Sequence, residues 1–316
     1  MDRSSGYGED VDLEVIWTDT QLAEAFAQLG LTVFTGHFLT SAETERDIRP
    51  AASFVAWRRG EVLQDEACGA RCGQGTMEVL AVIERKKVAV VAGVGPGIGA
   101  ALARRFAKAG YAVAMLARNR DALDALEREI DGARGYPSDV GSRESVSQAF
   151  AAIGTDLGEA DVLLYNAGSG VFGDVESITP EQFETSWRVN AYGALLCARE
   201  VIPAMKAAAG GSIIFTGATA SRRGVPRTAA FAPAKAAQRS LAESMARSLW
   251  PSGIHVSLII VDGAVDLPRT RQAMPERPDS HFVKPSAVAE LAFQLTCQDR
   301  SAWSFEVEAR PFAEHW

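Results

Sequence analysis

Three glycines stand at spacings suited to holding phosphate groups. Gly93, Gly97 and Gly99 follow a short apolar run and open a segment with helical periodicity. The first permits a tight turn, the second lets the backbone approach a pyrophosphate, and the third lets the helix lie close to the strand. The N–H groups at the helix start would then face the phosphates. We therefore predict a dinucleotide site at residues 93–99, including Gly95 and Ile98; a glycine turn without function is the alternative.

The residues at the end of the next strand indicate whether the site prefers NAD or NADP. A carboxylate there would hold the ribose hydroxyls of NAD, whereas this chain has Ala117-Arg118-Asn119. A guanidinium suits the 2′-phosphate of NADP. We predict NADP(H), with Arg118 and Asn119 as contacts. Arg118 as a solvated loop charge is the alternative, and Pro96 occupies a place where a second basic residue would have helped.

From Lys87 onward, predicted strands alternate with predicted helices, and these elements must position the residues named above. Strands are predicted at 88–91, 112–116, 134–136, 161–165, 212–216, 255–261 and 305–309. Helices are predicted at 98–109, 121–130, 143–153, 179–208, 230–249 and 287–295. Thr179 and Gln182 form a capping-box pattern around Pro180. Residues 85–316 are thus expected to be an α/β, Rossmann-like doubly wound parallel sheet of about seven strands, which binds ligands at the carboxyl ends of the strands.

Residues 1–84 lack this alternation. Strand patterns at 13–17, 31–38, 53–58 and 77–83, with a helical pattern at 21–29, favour a small α+β N-terminal unit. It carries no motif that indicates chemistry. It could cover the mouth of an active site, add to an oligomer interface or form a second active domain, and we expect a packing or assembly role.

Composition excludes several classes of function. The chain has 316 residues and a net charge of −8, which argues against nucleic acid as a main partner. The first residues lack a secretory signal and no apolar run is long enough to span a membrane, so we expect a cytoplasmic protein with reduced cysteines. Cys68 and Cys72 have no second ligand pair nearby, and the histidines are scattered, so no metal site is predicted.

The segment 87–316 resembles the short-chain dehydrogenases/reductases. Besides the glycine pattern, Ser138-Asp139-Val140 is similar to the family's adenine-contacting loop, and Tyr165-Asn166-Ala167-Gly168 to its Asn-Asn-Ala-Gly motif. Asn190 matches the helix asparagine that supports a water relay. Lys235 matches the lysine that grips the nicotinamide ribose. The resemblance also implies cofactor contacts at Gly263 and Val265, and homodimers or tetramers built through the helices near 179–208 and 230–249.

The departures from the family concern its acid groups. Ala218 stands at the position of the catalytic serine, and Phe231 replaces the tyrosine of Tyr-x-x-x-Lys. The usual Pro-Gly after the sixth strand is Asp262-Gly263, and a frequent threonine is Leu267. Phenylalanine and alanine can neither donate a proton to a carbonyl nor polarise it. A poorly characterised bacterial branch of the family resembles this chain in carrying the same phenylalanine.

Other side chains could supply chemistry. Lys235 could donate a proton itself, because a desolvated lysine shifts its pKa readily, or it could only bind cofactor. Asp262 is an acid/base candidate, with a turn aspartate as the alternative. Thr219 or Ser221 could replace the missing hydroxyl. A group of loop arginines could attract an acidic substrate or simply be solvated: Arg222, Arg223 and Arg227.

Three functions remain open. The first is an NADP(H)-dependent oxidoreductase that reduces an activated C=C, C=N or carbonyl of a small molecule. The second is a non-redox enzyme, such as a lyase, isomerase or cyclase, and the third is a non-catalytic binding protein. The loop between Asp262 and Ser286 carries Arg269, Arg271 and Arg277 and no large apolar run, which favours a polar or anionic substrate.

Overall fold

The computed structural model describes residues 32–35, 54–57 and 85–313. The chain divides into two compact units, Met1–Arg85 and Lys86–Trp316. In the first unit, β1 (Thr32–Thr35) pairs antiparallel with β2 (Phe54–Trp57). These strands confirm the predictions at 31–38 and 53–58. The predictions at 13–17, 21–29 and 77–83, and the Cys68–Cys72 pair, lie outside the described residues.

A seven-stranded parallel sheet forms the centre of the second unit, as predicted. Its order is β11-β8-β7-β6-β3-β4-β5. The strands are β3 (Val88–Ala92), β4 (Ala112–Ala117), β5 (Ala133–Pro137), β6 (Ala160–Tyr165), β7 (Gly211–Ala218), β8 (Ile254–Val261) and β11 (Glu306–Ala309). A short parallel pair that the sequence did not predict, β9 (Ala264–Val265) and β10 (Phe282–Val283), follows β8 in the chain.

Helices connect the strands of this sheet. They are α1 (Ile98–Lys108), α2 (Arg120–Glu129), α3 (Arg143–Asp156), α4 (Pro180–Trp187), α5 (Gly193–Ala207), α6 (Phe231–Leu249), α7 (Pro268–Ala273) and α8 (Pro285–Thr296). The predicted capping box starts α4: Thr179 and Gln182 exchange hydrogen bonds at 3.0 and 3.2 Å. Among the described residues, no helix combines the length and apolar character that crossing a membrane requires.

Both faces of the sheet are covered by apolar layers. Val88, Val90 and Ala92 belong to one buried cluster, and the alternate residues Ala89 and Val91 belong to another. Successive side chains of a strand point to opposite faces, so β3 contributes to both layers. This explains why the central strands are apolar throughout their length.

The predicted helix over 179–208 is interrupted by one turn of π-helix at Arg188–Tyr192. Such turns occur frequently at functional sites. Gly193 follows directly, and a Cβ there would lie 2.5 Å from the Tyr165 hydroxyl and 2.7 Å from the Val140 carbonyl. Glycine therefore lets α5 lie unusually close to the end of β6, and it brings the π turn towards the carboxyl end of the sheet.

Candidate active site

A cleft of about 1780 Å³ opens at the carboxyl ends of the central strands. Binding sites for one small molecule usually measure about 300–1,000 Å³, so this cleft has room for a dinucleotide and a second ligand. Its walls hold every residue predicted to contact cofactor: Gly93, Gly95, Gly97, Ile98, Gly99, Arg118, Asn119, Asp139, Val140, Asn166, Ala167, Gly168, Lys235, Gly263 and Val265.

The glycine loop between β3 and α1 is shaped by close backbone contacts. Gly93 has φ +95°, and a Cβ on it would lie 2.3 Å from the backbone nitrogen of Ala167. A Cβ on Gly99 would lie 2.5 Å from the Gly93 carbonyl. The Asn166 amide donates to that same carbonyl at 2.8 Å. Asn166 therefore holds the loop against β6.

The start of α1 fits a pyrophosphate. The N–H groups of Ile98 and Gly99 have no acceptor among the described residues, and they open into the cleft at the positive end of the helix dipole. No acidic side chain lies in the first turn of α1. The backbone donors and the space left by the glycines are those that a dinucleotide phosphate requires.

The far end of the cleft lies beyond β4 and β5. Arg118 lines it and forms no ion pair within the described part of the chain. Asn119 also lines it, but its side chain caps α2 by accepting from the Ala122 N–H at 3.1 Å. Asp139 accepts from the Gly141 N–H at 2.9 Å, which orders the loop at the wall. Arg118 is therefore the cation available to a ligand here.

Lys235 lies at the opposite end of the cleft and is only 4% exposed. Its Nζ donates to the Thr216 carbonyl at 2.8 Å and to Gln238 Oε1 at 3.0 Å. Burial lowers the pKa of Lys235 to about 7. Its ammonium and amine forms are therefore both present near neutral pH, which is the property of an effective proton donor.

Asn190 does not line the cleft but lies directly behind it, in the π turn. It is fully buried, and its amide donates to the Ser186 and Ser169 carbonyls at 2.8 and 3.2 Å. Its Oδ1 is the one buried side-chain N or O in residues 85–313 without a hydrogen-bond partner. A Cβ built on Gly168 would lie 3.4 Å from this oxygen and 3.8 Å from Lys235 Nζ. An unsatisfied acceptor thus stands beside the lysine, where a bound polar group would satisfy it.

Ala218 and Phe231 both line the cleft. Phe231 is half-buried and contacts Phe172, with 5.2 Å between ring centroids. These positions present only apolar surface to a ligand. Phe172, which is 59% exposed, was not predicted; a lone phenylalanine in a glycine-containing loop gives no signal by itself.

Asp262, predicted as an acid/base candidate, does not itself line the cleft. Val261 and Gly263 line the wall, whereas the Asp262 carboxylate accepts the Thr219 hydroxyl proton and pairs with Arg310. A carboxylate held by a guanidinium is stabilised in its charged form. Thr219 lines the cleft beside the vacant serine position, with its proton committed to Asp262. Ser221 is buried and accepts from the Ala218 N–H at 3.1 Å.

The three loop arginines have different surroundings. Arg222 pairs with Glu306 at 2.8 Å and also with Glu308, so it binds two glutamates of β11. Arg223 lines the cleft, as Arg269 does from α7, and neither forms an ion pair within the described residues. Arg227 is exposed and does not line the wall. The cleft lining therefore holds four basic residues, Arg118, Arg223, Lys235 and Arg269, and one carboxylate, Asp139. This basic excess contrasts with the acidic net charge of the whole chain.

Comparison with known proteins identifies the family. Residues 87–277 match the family model described as short chain dehydrogenase. The chain belongs to the short-chain dehydrogenases. An oxidoreductase of Sarocladium schorii is 29% identical over 224 residues, which are 68% of this chain and 90% of that protein.

Solved short-chain dehydrogenases share the fold. One from Rhodopseudomonas palustris is 35% identical, with a TM-score of 0.62, over 72% of this chain and 99% of its own. A metagenomic short-chain oxidoreductase in complex with NADP is 30% identical, with a TM-score of 0.63, over 72% of this chain and 98% of its own. Family membership and this fold support an oxidoreductase that uses a nicotinamide cofactor.

Proposed function

We propose that this short-chain dehydrogenase is an NADP(H)-dependent reductase with a non-standard proton donor. The observation that carries the proposal is the pairing of a phosphate-binding loop with a buried lysine in one cleft whose positions 218 and 231 hold no acid group. The relative that was solved with NADP supports the cofactor. Arg118 supports the 2′-phosphate form, because its guanidinium is available at the expected end of the cleft.

The chain's own residues divide the work between binding and proton transfer. Residues 93–99 would hold the pyrophosphate, Arg118 would hold the 2′-phosphate, and Gly263 and Val265 would border the nicotinamide half. The bound cofactor would supply hydride chemistry. The Lys235 ammonium would give a proton to an oxygen, nitrogen or carbon of the substrate, and the resulting amine would regain a proton from cleft water. Because Ala218 and Phe231 cannot polarise a carbonyl, the acceptor must be an activated C=C, C=N or carbonyl.

The substrate end of the cleft favours an anionic group. Arg223 and Arg269 line it without carboxylate partners among the described residues, and a guanidinium binds a carboxylate or phosphate in a bidentate manner. We propose that one of these arginines binds a negative charge of the substrate. Phe172, Val225 and Phe231 supply apolar surface nearby.

The experiment is a panel of acceptors with purified protein and NADPH, followed by absorbance and product analysis. The panel holds an activated enone, an imine and an α-keto acid, each with a neutral analogue. Consumption of NADPH with product formation supports the proposal. Product formation without any change in NADPH favours the non-redox enzyme, and no conversion by any acceptor favours the binding protein.

Two variants test the anionic substrate. Arg223→Ala and Arg269→Ala should raise KM for the anionic acceptor about tenfold or more, and should leave the neutral analogue unchanged. Arg247→Ala is the matched control, because Arg247 is an exposed arginine of α6 outside the cleft. Equal effects on both acceptors would contradict the assignment.

We also propose that the chain forms homo-oligomers. Phe183 and Trp187 lie one turn apart on α4 and are 44% and 43% exposed. Exposed aromatic pairs of this kind are enriched at protein interfaces. Light scattering of the protein and of Trp187→Glu tests this; a monomeric parent protein would contradict it.

A further inference from the structure

Gln238 occupies a position that neither the glycine pattern nor the family motifs indicated. It lies three residues after Lys235 on α6, its side chain is fully buried, and it lies behind the cleft wall. A glutamine with no exposed surface must find partners for its amide, because an unpaired buried amide costs substantial free energy. Gln238 finds two, and both belong to the site.

The amide bridges the lysine and the π turn. Gln238 Oε1 accepts from Lys235 Nζ at 3.0 Å, and Gln238 Nε2 donates to the Asn190 carbonyl at 3.0 Å. The reverse orientation would set the NH₂ group against the ammonium and the oxygen against a carbonyl. The amide orientation is therefore fixed by its neighbours.

Besides Gln238, the Thr216 carbonyl accepts from Lys235 Nζ at 2.8 Å and the unsatisfied Asn190 Oδ1 lies nearby, but neither carries a charge. The Tyr165 hydroxyl donates to the Val189 carbonyl, and burial raises its pKa well above the ordinary value, so this phenol stays neutral. Burial also raises the pKa of the Cys197 thiol on α5. The charged groups of the cleft are Arg118, Asp139, Arg223 and Arg269. Burial lowers the pKa of Lys235, and no charged neighbour contributes to this shift.

We infer that Gln238 is a positioning residue: its amide fixes Lys235 against the π turn and stabilises the ammonium form of the lysine. An amide suits this task, because it accepts from the ammonium without adding a charge. A carboxylate would hold the proton too tightly, and an apolar residue would release it. This inference rests on the proposed function only for the task of Lys235, since the bridge itself can be tested without turnover.

The test measures the protonation midpoint of Lys235 by competitive labelling with acetic anhydride across pH, followed by peptide mass spectrometry. Gln238→Leu removes an acceptor of the charged form, so the midpoint should fall by about one pH unit. Gln238→Glu adds an opposite charge, so the midpoint should rise, and labelling at pH 7 should slow about tenfold or more. If the glutamate variant fails to fold, Gln238→Asn breaks the bridge without a new charge and should again lower the midpoint.

Gln298→Leu is the matched control. Gln298 is a half-buried glutamine outside the cleft that also makes two amide hydrogen bonds, both with Ser304 at 3.0 and 2.8 Å. Its loss should leave the Lys235 midpoint unchanged. A parent midpoint at the ordinary lysine value, or midpoints that agree within about 0.3 in the parent and in every folded Gln238 variant, would overturn the inference.

The same variants separate this inference from the proposed function. Shifted midpoints in a protein that never oxidises NADPH would support the bridge and reject the reductase. Turnover of NADPH with unshifted midpoints would support the reductase and reject the bridge. In an active enzyme, the pH profile of kcat/KM should move in the same direction as the midpoint.

Discussion

The buried lysine should make the stability of the fold depend on pH in a way that one substitution removes. Lys235 changes its pKa from 10.5 to about 7 on burial. Each unit of this difference corresponds to about 1.4 kcal/mol, so the charged lysine destabilises the folded state by about 5 kcal/mol relative to the neutral one. Lys235→Met removes this contribution while it keeps an unbranched side chain of similar length.

The direction follows from where the protons are. Between pH 7 and 10.5 the unfolded chain carries a proton on this lysine and the folded chain does not, so the free energy of unfolding rises with pH. Relative to Lys235→Met, the parent protein should gain about 1.4 kcal/mol per pH unit across that window, or about 4 kcal/mol from pH 7 to 10. Below pH 7 the difference should level off.

The assay is urea unfolding followed by circular dichroism at pH 6, 7, 8, 9 and 10 for both proteins without cofactor. Other titrating groups cancel in the difference between the two. Phe231→Leu serves as a control, because it changes the same helix without a titratable group and its difference from the parent should not vary with pH. A flat difference for Lys235→Met would refute the reasoning and mean that this lysine is not desolvated.

Three other substitutions test the site. Arg118→Glu should weaken NADPH binding about tenfold to hundredfold and favour NADH, as measured by fluorescence titration; unchanged NADPH affinity would exclude Arg118 as the 2′-phosphate partner. Gly93→Ala should destabilise the fold by more than about 2 kcal/mol, because its Cβ would lie 2.3 Å from backbone atoms at φ +95°. In the same unfolding assay Gly95→Ala, whose Cβ meets nothing within 4 Å, should change stability by less than about 1 kcal/mol, and equal losses would contradict the geometry. Ala218→Ser combined with Phe231→Tyr should raise reduction of an unactivated ketone about 10²- to 10⁴-fold, as measured by NADPH consumption; an unchanged rate would show that these positions do not face the substrate.

The phosphate loop was predictable from sequence because backbone geometry there dictates residue type. Gly93 needs a positive φ and Gly99 needs the absence of a Cβ. Both requirements favour glycine, so the residue type alone indicates the local geometry. The parallel sheet was predictable for a similar reason, since strands buried on both faces must be apolar throughout.

Features that depend on distant partners could not be predicted in this way. Asp262 follows a strand at the cleft edge, but its carboxylate pairs with Arg310, which lies 48 positions later in the chain. Gln238 has the sequence context of an ordinary helix residue, and its bridge to Lys235 is completed only by the Asn190 carbonyl of the π turn, which is distant in sequence. The π turn could not be predicted either. Its residues are of the same types as those of an ordinary helix, so the helical pattern over 179–208 continues through it without a break.

The last strand has a consequence for how the molecule is made. β11 pairs with β8 in register from Glu306 opposite Leu258 to Ala309 opposite Val261, and Arg310 follows at once. During synthesis β8 emerges well before β11. The edge of β8 that pairs with β11, and the Asp262 carboxylate, therefore stay exposed until the residues around 310 have been made. Domains tend to fold from the N-terminus as they emerge, yet this one cannot complete its sheet until then. A chain cut between Phe305 and Glu306 would keep every cofactor-contacting residue named above and still leave the Asp262 carboxylate without its cation beside an open strand edge, which makes aggregation during biosynthesis the expected failure.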